Sequence, residues 1–102
     1  MNLHEFAKIR DEQIIRCVDV LTEKADEYAT DDRLHNFRVA AELEGVTVRQ
    51  ALAGMMAKHT ISIYDMCKCP TAHTIPIWSE KITDHINYLL LLRAVVQEES
   101  QK

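Results

Sequence analysis

The sequence predicts an all-α fold, a four-helix bundle-like arrangement of three long helices and one short helix. The 102 residues contain only two glycines and two prolines, which favours long uninterrupted helices. Apolar residues recur at spacings of three, four and seven, as they do on one face of a helix. No alternating stretch is long enough for a strand, and "GVTV" reads as the approach to a helix cap. We expect one domain over residues 1–102, ending in a polar, frayed tail at 97–102.

The first two helices follow from an apolar stripe and a break. The spacing predicts a long helix over 3–28, interrupted in its stripe by Arg10. Its stripe is Leu3, Ala7, Ile14, Val18, Leu21, Ala25 and Tyr28. "ATDD" breaks the chain, and either Thr30 or Asp31 could cap a short helix over 32–44. That helix carries Leu34, Phe37 and Ala41 on one side, and Gly45 suits its left-handed terminus.

The third and fourth helices are separated by the only proline-containing stretch. Thr47 and Gln50 have the spacing of a capping box, so the third helix is predicted from residue 48 to about 66. Its stripe is Leu52, Met56, His59, Ile63 and Met66. "CKCPTAHTIP" must be loop. Pro76 or Ser79 then opens the fourth helix, which is predicted to reach Val96.

Charge and cysteine content narrow the class of protein. The net charge of −4, without a Lys/Arg run, argues against duplex nucleic acid as a partner. The apolar run at 89–92 is too short to span a membrane, and the N-terminus lacks the apolar stretch of a secretory signal. Three cysteines give no disulfide framework, so we expect a reduced, cytoplasmic protein. Three long helices in so small a chain rarely cover every apolar face, so we expect a homodimer or homotetramer.

Carboxylates are the candidate chemical groups. Glu80 and Asp84 lie one helical turn apart at the start of the fourth helix, on a line that continues into apolar residues. Two carboxylates held close together repel each other and attract a cation, and Mg²⁺ prefers carboxylate oxygens. The alternative is that both acids simply favour a helix N-terminus electrostatically.

Other polar groups could likewise form a site or have an ordinary structural or solvated role. Lys58, Ser62 and Asp65 share one face of the third helix, as a site or as a solvated row. The acidic end of the first helix, with Asp26 and Glu27, is usually a solvated face in such sequences. His59 lies in an apolar stripe, where a hydrogen-bonded core histidine is the common outcome. The loop residues Cys67, Cys69 and His73 lack the second ligand pair of a structural zinc site.

Four short motifs carry a family resemblance. "KADEY", "RLHNF", "MMAKH" with "IYD", and "WSEKITDHINYLLLL" resemble, in this order, the small phage-associated MazG-like proteins. That group belongs to the all-α nucleoside triphosphate pyrophosphohydrolase superfamily. The resemblance runs from about Lys24 to Leu92, roughly two-thirds of the chain.

The resemblance implies an activity and its residues. Members are helical and usually oligomeric, bind Mg²⁺ through carboxylates, and split a nucleoside triphosphate into a monophosphate and pyrophosphate. It implies catalytic and metal-binding roles for Glu27, Glu80 and Asp84, with Mg²⁺ or Mn²⁺ as the cofactor. Glu80 and Asp84 would then face Glu27 across the bundle. Asp26 and Asp65 are further implied metal ligands. The nucleotide would be contacted by Lys58 at a phosphate and by Asn36 and Tyr88 at the base or sugar.

One departure from the family pattern keeps other functions open. The usual signature is Glu-x-x-Glu on one helix and Glu-x-x-Asp on the next. Here the fourth helix has Glu80-x₃-Asp84, and the third has Lys58, His59 and Asp65 where an acidic pair is expected. The alternatives are therefore a catalytically inactive MazG-like binding module and a helical phage accessory protein without enzymatic activity.

Overall fold

The computed structural model describes residues 1–27, 31–69 and 71–101, apart from the side chain of Asp26. Within these ranges the chain forms four helices and no strand: α1 (Leu3–Glu27), α2 (His35–Glu44), α3 (Val48–Lys68) and α4 (Ile75–Ser100). The all-α prediction is confirmed. Tyr28, the last residue of the predicted α1 stripe, and Thr30, one of the two candidate caps of α2, lie outside the described residues. None of the described helices combines the length and apolar character needed to cross a membrane.

The helix caps around α2 and α3 are largely those read from the sequence. Thr47 and Gln50 form the predicted capping box, with each side chain bonded to the other's backbone N–H. Gly45 ends α2 at a φ of 68°, a conformation that glycine adopts without strain. The start of α2 was predicted too early, since it begins at His35 and its N-cap, Leu34, makes no side-chain cap hydrogen bond. Asp32 instead accepts a hydrogen bond from the backbone N–H of Leu34 at 3.0 Å.

The fourth helix is longer than predicted at both ends. Thr74 is its N-cap, and the helix continues to Ser100 instead of ending at Val96. The predicted helix end at Val96 is therefore too early, and two ion pairs join the turn that follows it to α2 and α3. Arg38 Nη2 donates to Glu98 at 2.8 Å, and Arg49 Nε lies 2.8 Å from a carboxylate oxygen of Glu99.

Helix α4 lies at the centre of the fold, with α3 packed on it and α2 packed on α3. The Arg49–Glu99 ion pair and the Thr60–His85 hydrogen bond show that α3 and α4 run antiparallel. Their packing with α2 creates what we call the apolar core: Leu34, Phe37, Leu52 and Val95. The stripes predicted for α2 and α3 therefore face this core.

Helix α1 contacts only α4 among the described helices. Gln13 Nε2 donates to Thr83 Oγ1 at 2.7 Å, and Asn87 Nδ2 donates to the Cys17 carbonyl at 3.3 Å. We call these four residues the polar seam. Both hydrogen bonds join residues 70 apart in sequence (83 − 13 and 87 − 17), so α1 and α4 run parallel.

The apolar stripe of α1 lies largely outside this seam. Leu3 is 89% exposed, and Ile14 and Val18 are each 55% exposed. One chain offers α1 a single neighbouring helix, and the polar seam occupies the side that meets it. The stripe is therefore a genuine helix face, but most of it is not buried within one chain.

Candidate functional site

A small central cavity lies where residues from all four helical regions meet. Its volume is about 120 Å³. α1 contributes Leu21 and Lys24, the turn before α2 contributes Arg33, and α2 contributes Phe37. The remaining lining residues are His59 of α3 and Asp84, Asn87, Tyr88 and Leu91 of α4. Polar groups thus converge on a concave space with aromatic and aliphatic walls, the usual composition of a small-ligand site.

Among the described residues that line the central cavity, cations outnumber carboxylates. Lys24 and Arg33 bring two positive charges, and Asp84 brings one negative charge. Lys and Arg together are the side chains that proteins use for phosphate, Lys as a point charge and Arg through its planar set of N–H donors. Lys24 and Arg33 are therefore suited to contact an anionic ligand.

His59 forms an aromatic wall of the cavity. Burial lowers its pKa below the usual 6.5, against an opposing effect of the Asp84 carboxylate. Its ring lies 4.7 Å from the ring of Tyr88, centroid to centroid, at an interplanar angle of 36°. The prediction that His59 belongs to the inward stripe is correct, and its ring is available to a ligand as well as to the core.

Asn87 supplies a buried acceptor. Its amide orientation is defined because Nδ2 donates to the Cys17 carbonyl, which can only accept. Asn87 is 6% exposed, and its Oδ1 accepts no hydrogen bond from any residue that the structure describes. Buried polar atoms of this kind are normally satisfied, so Oδ1 calls for a donor such as an amino or hydroxyl group of a ligand, or a water molecule.

A side groove of about 410 Å³ adjoins the central cavity. The two spaces share Arg33, Phe37 and Tyr88, and the groove adds Asn36 from the outer side of α2. Phe37 and Tyr88 meet edge to face, with 6.2 Å between ring centroids. Asn36 and Tyr88, the two residues implied to contact a base or sugar, therefore line one surface.

The structure does not bring the implied metal ligands Glu27 and Glu80 together within one chain. Because α1 and α4 are parallel with an offset of 70, Glu27 is level with residue 97. Glu80 lies 17 positions before that level (97 − 80), about 25 Å along the helix direction at roughly 1.5 Å per residue. Within one chain, Glu27 therefore does not face Glu80 or Asp84. Of these three, only Asp84 lines the central cavity.

The remaining predicted residues lie elsewhere or outside the described part. Lys58 and Asp65 line a separate, open groove on α3 with Cys69 and His73. The side chain of Asp26 lies outside the described residues. Across the described part of the chain, no three His, Cys, Asp or Glu side chains gather in a way that could hold a metal ion. Cys67 and Cys69 are exposed free thiols, and the His73 ring packs edge-on against Trp78.

Three cavity residues carry no role in the sequence-based prediction. Lys24 and Arg33 are ordinary surface-type residues, and Asn87 is an ordinary polar residue within the predicted fourth helix. A sequence signal existed for two of them, since Lys24 opens "KADEY" and Arg33 opens "RLHNF". Their convergence depends on how the turn before α2 meets α1 and α4, which periodicity does not specify.

The chain was compared with protein-family models, curated proteins and solved structures. No protein-family model, no curated protein and no solved structure matches this chain.

Proposed function

We propose that the protein binds a nucleoside triphosphate at the central cavity and the adjoining side groove. The observation that carries this proposal is the convergence of Lys24, Arg33 and Asp84 on one cavity, beside the buried acceptor of Asn87. The resemblance to MazG-like proteins supports the same ligand class.

Each part of the nucleotide has a matching group. Lys24 and Arg33 contact the phosphates. Tyr88 and Phe37 offer aromatic surface to the base, and Asn36 is a polar contact for the base or sugar in the side groove. An amino or hydroxyl group of the nucleotide donates to Asn87 Oδ1, which satisfies that atom. The cavity alone is too small for the whole ligand, so the groove is part of the site.

Mg²⁺, or Mn²⁺ in its place, fits a site with few carboxylates. Mg²⁺ is commonly held by one or two carboxylates together with substrate phosphates. Asp84 is the carboxylate among the described residues that line the cavity, and Glu80 precedes it by one turn of α4. The ion supplies charge neutralisation on the triphosphate when bound. We extend the proposal to hydrolysis of the triphosphate to a monophosphate and pyrophosphate, with Asp84 as the group on which this activity depends.

Binding without hydrolysis is the second candidate function. The observation that favours it is the separation of Glu27 from Glu80, together with the absence of a three-ligand cluster within the described ranges. In this case the chain keeps Lys24, Arg33 and the aromatic groove as a nucleotide-binding module. The two candidates share one site and differ only in turnover.

Thermal unfolding with a panel of deoxynucleoside triphosphates, with and without Mg²⁺, tests the binding proposal. A ligand that binds the native state raises the unfolding midpoint by mass action. We expect a rise with at least one nucleotide in the wild type and a smaller rise in Lys24→Ala. Lys68→Ala, an exposed lysine in the last turn of α3, is the matched control and should behave as the wild type. No rise with any nucleotide would refute the proposal.

Product analysis separates the two candidates. Hydrolysis predicts Mg²⁺-dependent release of monophosphate and pyrophosphate that is lost in Asp84→Asn and kept in Asp65→Asn, whose side chain lies in the separate α3 groove. Nucleotide binding without release of monophosphate or pyrophosphate would assign the function of a nucleotide-binding module. Loss of activity in Asp65→Asn alone would place the chemistry at the α3 groove instead.

A further inference from the structure

The turn before α2, which carries Arg33 to the central cavity, is closed by hydrogen bonds to Asp32. Asp32 Oδ1 accepts from the backbone N–H of Leu34 at 3.0 Å, and the Asp32 carbonyl accepts from the backbone N–H of His35 at 3.1 Å. An aspartate that bonds the backbone two residues ahead forms an Asx turn. Arg33 lies inside this turn and lines the cavity. The backbone from which its side chain projects is therefore held by the Asp32 carboxylate.

Arg38 of α2 holds that carboxylate in turn. Its Nε donates to Asp32 Oδ2 at 2.7 Å, and its Nη2 donates to Asp32 Oδ1 at 3.4 Å. Nη1 and Nη2 also donate to the two carboxylate oxygens of Glu98, Nη2 at 2.8 Å. Four of the five N–H donors of the guanidinium are thus used on two carboxylates. We call Asp32, Arg38 and Glu98 the Arg38 bridge.

The Arg38 bridge acts through direction more than through strength. In the Arg38–Glu98 pair the side chains are 35% and 40% exposed, and ion pairs so open to solvent contribute little to stability. The planar guanidinium nevertheless imposes its own orientation on both carboxylates. Glu98 lies in the last turn of α4, the helix that also carries Asp84. The bridge therefore joins the turn that holds Arg33 to the helix that forms the opposite part of the cavity lining.

We infer that Arg38 is a positioning residue of the nucleotide site, which it serves by fixing Arg33 for contact with the phosphates. Arg38 is not among the described residues that line the central cavity, so it acts through Arg33 and does not touch the ligand. An arginine that is already oriented loses less conformational freedom when it binds, and the affinity gains by that amount. The inference rests on the proposed function, since Arg33 is there a phosphate contact.

Calorimetric titration with dATP, dCTP, dGTP and dTTP, each with Mg²⁺, tests the inference. For whichever nucleotides the wild type binds, Arg38→Gln should raise the dissociation constant about tenfold, the order expected when a hydrogen bond to a charged group is weakened. Arg49→Gln is the matched control, because Arg49 pairs with the neighbouring Glu99 from α3. It removes an ion pair to the same turn of α4 and should leave the dissociation constant unchanged.

A double-mutant cycle separates positioning from a general loss of structure. In an Arg33→Ala background, Arg38→Gln should have no further effect, because the side chain that it positions is gone. In a Lys24→Ala background, the same change should still raise the dissociation constant about tenfold. A general loss of structure would weaken binding in both backgrounds. Arg38→Lys keeps the charge without the planar guanidinium and should give the same pattern at a smaller magnitude, so it serves if Arg38→Gln does not fold.

Amide hydrogen exchange without nucleotide tests the first step alone. The backbone N–H groups of Leu34 and His35 bond to Asp32, so their exchange should accelerate in Arg38→Gln and stay unchanged in Arg49→Gln. Unchanged exchange in Arg38→Gln would overturn the inference.

The titrations distinguish failure of the inference from failure of the proposed function. If the wild type binds a nucleotide and Arg38→Gln binds it equally well, the inference is overturned and the proposed function stands. An equal effect of Arg38→Gln in the Arg33→Ala background would overturn it as well. A wild type that binds none of the four nucleotides refutes the proposed function, and the inference with it.

Discussion

The two sides of α4 are packed by different means. On one side α2 and α3 enclose the apolar core, where Leu52 is 0% exposed. On the other side α1 is joined through the polar seam, while its stripe faces outward. The core side is a buried hydrophobic interface. The seam side positions α1 through hydrogen bonds and leaves most of its apolar stripe exposed. The contrast shows that an amphipathic helix need not turn its apolar face toward its own chain.

Truncation in the apolar core should have the largest effect. Leu52→Ala removes a fully buried side chain, and the lost transfer energy plus the cavity should lower the free energy of unfolding by about 2–4 kcal/mol. Ile61→Ala, on the exposed side of the same helix, should change it by less than about 0.5 kcal/mol. Urea denaturation measures both. Equal losses would mean that the core is not where the stability of α3 and α4 resides.

Removing one hydrogen bond of the polar seam should have a smaller and local effect. Thr83→Val keeps the shape of the side chain but leaves Gln13 without its 2.7 Å acceptor, a loss of about 1 kcal/mol. Amide hydrogen exchange should accelerate in α1 and stay unchanged in α3. Thr22→Val is the control, since the Thr22 hydroxyl donates to the carbonyl of Val18 in its own helix. Uniform acceleration in every helix would show that the two sides unfold together.

The smallest expected effect is a pH dependence of the free energy of unfolding. It arises from His59, which lines the central cavity between the two sides of α4. Burial lowers the pKa of His59, so the unfolded chain takes up this proton first as the pH falls below about 6.5. The free energy of unfolding should therefore decrease from that pH down to the folded-state pKa of His59. Asp84 opposes the shift, while Lys58, Lys81 and His85 add to it.

His59→Phe isolates this contribution because it keeps an aromatic ring beside Tyr88. Denaturant titrations at several pH values between 7 and 5 should show a shallower decline of stability in the variant than in the wild type. Identical slopes would mean that His59 is not responsible for the pH dependence.

The central cavity could be predicted only in part. Asp84 and Tyr88 were selected from the acid pair and the family resemblance, and both line the cavity. Glu27 and Glu80 were selected on the same grounds but lie far apart along the fold. This separation could not be predicted, because sequence spacing does not reveal whether two helices run parallel or antiparallel. Lys58 and Asp65 do share a face of α3, as predicted, but that face borders a different groove.

The sequence by itself determined the helices and several of their ends. Glycine at position 45 and the Thr47–Gln50 pair act within a few residues, so local chemistry is enough to place them. Tertiary structure decided the rest, because it depends on partners distant in sequence. Arg38 and Arg49 form ion pairs with the last turn of α4, and the cavity forms where a parallel α1 brings Lys24 near Arg33 and Asn87. Long-range contacts of this kind leave no periodic trace in the residues that make them.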